Sequence, residues 1–288
     1  MSSVRAGTRV VWWVVAVVAA AVFALPLVWM VVTSLKPESQ ALTNPPLPWP
    51  VPVGETGRFA AENYGGVWRD PVVDFPLYLR NTLIVALLSV TGATVSSAVI
   101  AYGLSRVRWR GRGVVFALVL ATMMIPFPVL MAPLYVLYRE LGWIGSFKPL
   151  WVPSWFGSAF AVFLLRQFFL SLPRELDEAA RVDGLSRVGV FLRVVLPLSR
   201  PALTVVALLH FVFVWNDFLG PLIFLNDKDT FTLALGLQLF QSQAGNTPWS
   251  LLMAASTLTV APVLLLFVLA SKALMRGIGG ASEGLREA

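Results

Sequence analysis

Leu172-Pro173-Arg174-Glu175-Leu176-Asp177-Glu178-Ala179-Ala180-Arg181-Val182-Asp183-Gly184 is the stretch that organises the reading of this chain, and after it come nine residues, Val194, one residue, and Leu196-Pro197. Residues 172–183 read as a short amphipathic helix. Pro173 suits the first helical turn, where its missing N–H costs nothing, and Glu175, Asp177 and Glu178 come next, near the positive end of the helix dipole. Leu172, Leu176, Ala179 and Ala180 form one apolar stripe. Gly184 supplies a left-handed position that stops a helix, and Ser186 is an N-cap for a second helix running to Pro197. Two roles fit such a helix. Arg174, Arg181, Arg187 and Arg193 would suit one lying on a membrane surface. A narrow stripe of alanines suits close packing in a protein groove, because lipid insertion favours Leu, Phe or Trp.

The segment lies between the fourth and fifth of six long apolar stretches. The chain is 57% hydrophobic and 13% charged, with a mean hydropathy of +0.76. A bilayer core of about 30 Å needs about 20 apolar residues per helix. Residues 11–33, 82–104, 114–138, 150–171, 202–224 and 250–271 meet that length, which predicts an all-α integral membrane protein with six transmembrane helices. The fourth is the weakest: only residues 149–165 separate Lys148 from Arg166, so Arg166 must snorkel to the headgroups or line the protein interior. The first is uncharged from Val10 to Leu35, too long for a signal-peptide core, and reads as an uncleaved anchor. Residues 1–35 are thus a tail plus the first helix and 36–80 a loop rich in proline (Pro45, Pro46, Pro48, Pro50, Pro52). Residues 81–275 are a five-helix core containing the loop 172–200, and 276–288 a tail.

Six spans put both termini on one side. Lys and Arg number 15 on that side and 7 on the other, so the positive-inside bias places the termini in the cytoplasm and the proline-rich loop outside. The net charge of +7 sits at span ends, which explains it by topology and membrane lipid rather than nucleic acid. Arg106, Arg108, Arg110 and Arg112, alternating in one short loop, read as membrane anchors. Cysteine is absent, which excludes disulfides and thiolate chemistry. A single histidine, His210, weighs against a His-based metal site. No internal repeat is visible.

Polar residues within spans are costly and mark candidate sites. Trp215, Asn216 and Asp217 lie in the fifth span as candidate pathway or gate residues. The structural reading is that Asn216 and Asp217 satisfy backbone groups freed where Gly220-Pro221 breaks the helix. Trp215 could stack a sugar ring. Pro126, with Pro128 and Pro133, should kink the third span and could shape a gate. His210 reads as a hydrogen-bonded packing residue. Thr91, Thr94, Ser96 and Ser97 read as support for close helix contact.

The whole set resembles carbohydrate-type ABC-importer permeases of the maltose/trehalose kind. The resemblance rests on Phe163–Phe169, Leu172–Leu176, Glu178–Gly184 and Leu196–Pro201, and on Asn81-Thr82, Ala101–Arg106, Met124–Pro126, Trp215–Phe218 and Gly277, so it covers most of residues 75–281. It implies a type I importer architecture in which the loop is the EAA segment that engages an ATPase. By resemblance, Glu178 pairs with a basic residue of the ATPase, Ala179 and Ala180 pack into its cleft, and Asp183, Gly184, Leu196 and Pro197 complete the coupling motif. Val194 stands where Ile is usual, and Ala281-Ser282-Glu283-Gly284 where the family commonly ends in Lys-Gly.

The resemblance further implies a permease subunit, without catalysis of its own, moving a sugar or related polyol by alternating access. No G-x-x-x-x-G-K-[ST] phosphate loop is present, and none of the four lysines comes directly after a glycine. No cofactor is expected on this chain; ATP and Mg belong to partner subunits. The implied partners are an ABC ATPase dimer, a second permease of similar fold and an extracytoplasmic solute-binding protein. A self-sufficient ion-coupled transporter would need paired ionisable residues at mid-membrane, where only Asp217 qualifies. An integral membrane enzyme would need clustered polar groups, and these are scattered.

Overall fold

The computed structural model describes residues 2–42, 53–241 and 247–283. The proline run 45–52 and Gly284 lie outside them. Helices in chain order are α1 (Ser2–Ser34), α2 (Thr56–Val67), α3 (Phe75–Ser105), α4 (Arg112–Thr122), α5 (Phe127–Glu140), α6 (Lys148–Trp151), α7 (Ala159–Ser171), α8 (Glu175–Val182), α9 (Arg187–Val190), α10 (Leu196–Leu198), α11 (Arg200–Trp215), α12 (Leu219–Phe224), α13 (Leu233–Gln241) and α14 (Trp249–Glu283). No strand occurs among the described residues.

Among the described residues, three unbroken helices are long and apolar enough to cross a bilayer: Val11–Ser34, Phe75–Ser105 and Trp249–Ala270. Three more spans are bent. Residues Arg112–Thr122 and Phe127–Glu140 meet at 97°. Pro126 is the extended N-cap of α5 and drives Ile125 away from helical backbone, so the third span breaks outright rather than kinking. The fourth runs from Lys148 to Ser171 through a 3₁₀ segment, Val152–Phe156, and turns by 76° into α8. Another 76° bend separates Arg187–Leu198 from α11. The apolar stretch 202–224 is not one helix: α11 ends at Trp215 and α12 restarts at Leu219.

The chain divides into two compact units, Met1–Phe75 with Gly236–Ala261 and Pro76–Leu235 with Pro262–Ala288. In the first, the stretch read as a bare loop contains α2, which is fastened to the end of α1. Asn63 Nδ2 donates to the carbonyls of Ser34 and Lys36, both at 2.8 Å, and Tyr64 Oη lies 2.9 Å from Ser34 Oγ. The Glu38 carboxylate caps the start of α14, accepting from the Trp249 and Ser250 amides at 2.8 Å each. Both donors lack a partner within their own helix, and a carboxylate there also suits the dipole.

In the second unit, α3 carries a polar rail that holds the 3₁₀ segment. Ser89 Oγ lies 2.6 Å from Ser154 Oγ and 3.0 Å from His210 Nε2, while Ser96 Oγ donates to the Ser154 carbonyl at 3.2 Å. Ser97 Oγ accepts from the Ser158 amide, the N-cap of α7, at 3.0 Å. A backbone that is not helical can sit at this depth because side chains supply what the missing helix bonds would. Towards the far end of α3, Ala98 and Ala101 pack with Leu165 and Phe169 of α7 in one buried cluster. That cluster extends to Ala180, Val190, Phe191 and Val195 and thereby seats the loop 172–200.

Candidate functional site

The loop is built around one positive-φ residue. Gly184 has φ +85°, and a β-carbon there would touch nothing within 4 Å, so the requirement for glycine is purely one of backbone. It lies in the turn between α8 and α9. Ser186 is the N-cap of α9, its Oγ accepting from the Gly189 amide at 3.2 Å. Helix α8 starts later than the sequence suggests. Leu172 is extended and Arg174 is the N-cap, which leaves Pro173 outside the helix. Past α9 the chain takes a π turn over Phe191–Val195, with the Leu196 amide bonding the Phe191 carbonyl. Pro197, lacking an N–H and crowding the carbonyl four residues back, accounts for that widening.

The two faces of α8 differ in what they meet. Ala180 is 7% exposed and sits in the buried cluster. Leu172 and Leu196 pack against the same cluster. Glu178 and Ala179 are exposed, as are Asp183 and Pro197. Val182 is 88% exposed, the most exposed aliphatic side chain of the loop. The two alanines expected to pack together into an ATPase cleft have different surroundings here: Ala179 is exposed and Ala180 is buried within the chain. Successive residues on a helix are rotated by about 100°, so the pair splits between outside and core. Val182 takes Ala180's place on the outer face, and its position three residues past Ala179 was the available signal.

Beside α8 lies a cleft of about 210 Å³ bordered by Arg106, Arg108, Arg112, Arg174, Arg181 and Arg187, with Asp177 and Glu178. Among the described residues, Arg106 is the one of these arginines that forms a salt bridge, to Asp177 at 3.2 Å. Its side chain is 3% exposed. The reading of Arg106 as a membrane anchor is corrected: the guanidinium is turned into the protein.

The fifth-span candidates have local structural partners. Trp215 is 2% exposed and stacks on Phe211 with ring centroids 5.0 Å apart, so it offers no open face for a solute ring. Asn216 Nδ2 donates to the Val212 carbonyl at 2.8 Å, and Asp217 Oδ1 accepts from the Gly220 amide at 3.1 Å. Both serve the break between α11 and α12. Pro126 sits at the α4–α5 corner, away from these three in sequence and on a separate break, next to an 84%-exposed Met124. Arg166 takes the interior alternative: its guanidinium lies 4.0 Å from the Phe116 ring centroid and ties α7 to α4.

Comparison with known proteins identifies the family. A family model described as binding-protein-dependent transport system inner membrane component matches residues 93–280. The trehalose/maltose transport system permease protein MalG of Thermococcus litoralis is 35% identical over 273 residues, covering 93% of this chain and 95% of that protein. The arabinooligosaccharides transport system permease protein AraQ of Bacillus subtilis is 33% identical over 261 residues, 89% of each chain. The sn-glycerol-3-phosphate transport system permease protein UgpE of Pectobacterium atrosepticum is 36% identical over 205 residues, 71% of this chain and 73% of that protein. Among solved structures, a chain of a bacterial ABC transporter involved in the import of the acidic polysaccharide alginate superposes with a TM-score of 0.78 at 22% identity, covering 91% of this chain and 95% of that one.

Proposed function

The chain belongs to the family of binding-protein-dependent transport system inner membrane components, the permease subunits of ABC importers, and on that basis we propose that it passes a sugar or related polyol, driven through α8. It has no catalytic role of its own. The outer face of α8, made by Glu178, Ala179 and Val182, is the surface offered to an ABC ATPase. The observation that carries this reading is the split of α8: one face is built into the protein core while the other leaves Val182 88% exposed. An interfacial helix would instead present its large apolar side chains together. Within α8 the two sizeable apolar side chains, Leu176 and Val182, are both exposed but stand about 120° apart around the helix, while Leu172, just before α8, packs on the core.

The sugar assignment rests on the relatives, whose names specify trehalose/maltose, arabinooligosaccharides and sn-glycerol-3-phosphate. An extracytoplasmic solute-binding protein delivers the solute; a related alginate importer has been solved with its substrate-bound periplasmic protein. A second permease of similar fold and an ATPase dimer, holding ATP and Mg, complete the assembly. The distribution of Lys and Arg, 15 against 7, supports cytoplasmic termini and a cytoplasmic loop 172–200. Movement is alternating access: closure of the ATPase dimer displaces α8, and the spans reorient between two states.

Affinity purification of the tagged chain from native membranes tests the assembly. Mass spectrometry should find an ABC ATPase and a second permease in fixed proportion. Recovery of this chain alone, under conditions that keep other membrane complexes intact, would overturn the reading.

A further inference from the structure

The end of α3 holds the loop 172–200 at two points, one at the start of α8 and one at α9 and the π turn. Arg106 is the residue immediately after α3, and its guanidinium reaches under the α7–α8 corner. Nη2 donates to the carbonyls of Phe169, at 2.5 Å, and of Leu172, at 2.7 Å. Nη1 bonds Asp177 Oδ2 at 3.2 Å and lies 3.5 Å from the Pro173 carbonyl. Phe169 is in the last turn of α7, where carbonyls lack helix partners and a cation suits the dipole. Asp177 is in the first turn of α8. One buried cation therefore joins the end of α3, the end of α7 and the start of α8. One turn earlier on α3, Tyr102 makes the second hold. Its Oη donates to the Arg187 carbonyl at 2.9 Å, and its ring lies 4.8 Å from that of Phe191.

Resting on the docking role of α8, we infer that Arg106 is a positioning residue that clamps the coupling helix α8 to α3, making α3 the span carried directly when α8 moves. A guanidinium suits the task because its fork of donors can serve several acceptors at once while keeping its charge. An ammonium could hold fewer of them. A buried cation with one carboxylate and three carbonyl oxygens around it has no comparable site to move to, so displacement of α8 draws α3 with it.

The test is a spin-label distance in the transporter purified with its ATPase, using the otherwise cysteine-free chain carrying Val99→Cys on α3 and Arg181→Cys on α8, an exposed position to the side of the docking face. With Arg106 present, the distance should show one narrow distribution, the same without nucleotide and after trapping with ATP and vanadate. Arg106→Gln should at least double the width of the distribution and make it differ between the two states, with Arg106→Lys in between. A width for Arg106→Gln equal to that of the parent would overturn the clamp. Should Arg106→Gln not be recovered from the membrane, Asp177→Asn takes its place, because it leaves the bonds to the carbonyls intact: broadening supports the clamp and the parental width overturns it. ATPase retention distinguishes the two levels. Loss of ATPase from the parent chain counts against docking itself, whereas an unchanged width with ATPase retained counts against the clamp alone.

Discussion

The indole of Trp155 occupies the space that a β-carbon on Gly92 would need, so the 3₁₀ segment Val152–Phe156 lies directly on α3. Trp155 cannot readily withdraw, because its neighbour Ser154 is bonded to Ser89 and Ser96 of the same helix. Gly92→Ala should cost about 1–3 kcal/mol through overpacking. Thermal unfolding of the purified chain in detergent checks this, and an unchanged melting temperature would mean the segment yields.

Gly184 calls for a different contrast. With open space around it and φ +85°, the penalty on substitution is set by backbone alone. Gly184→Asn should be tolerated, since Asn visits left-handed backbone, whereas Gly184→Val should cost about 1–3 kcal/mol and tilt α8. Solute uptake in cells should fall for Val and persist for Asn, at equal amounts of protein in the membrane. Equal uptake by both would show that the turn does not need this conformation.

Asp217 separates a structural carboxylate from a coupling one. Its Oδ1 accepts from the Gly220 amide at the α11–α12 break. Asp217→Asn keeps that acceptor and should retain most uptake; Asp217→Leu removes it and should destabilise the break by about 1–2 kcal/mol. Loss of uptake in Asp217→Asn with normal folding would point to ionisation as part of transport.

The spans, the stop at Gly184 and the cap at Ser186 were legible because each depends on a few adjacent residues. Length in a bilayer, positive φ and an oxygen three residues before an amide are local requirements. Features that escaped the sequence depend on which way a side chain turns. Arg106 looks like Arg108, Arg110 and Arg112 in sequence, and only the corner of α7 and α8 over it makes it internal. Ala179 and Ala180 are chemically identical, yet the buried cluster claims one of them. Trp215 carried a polar and aromatic signature that suited a solute, but Phe211, four residues earlier on the same helix, covers it. The break between Trp215 and Leu219 was foreshadowed by Gly220-Pro221, while the stretch still read as one apolar span because hydropathy does not register a local turn.

Photocrosslinking from α8 in the assembled transporter asks directly whether this helix docks, and by which face. Single cysteines at positions 179, 180 and 182, each carrying a thiol-reactive benzophenone, report what lies against each side. Crosslinks to the ATPase are expected from Ala179→Cys and Val182→Cys, and none from Ala180→Cys, whose position is 7% exposed within the core of this chain. Crosslinks from 179 and 182 to lipid alone, or an ATPase crosslink confined to 180, would contradict docking through the outer face of α8.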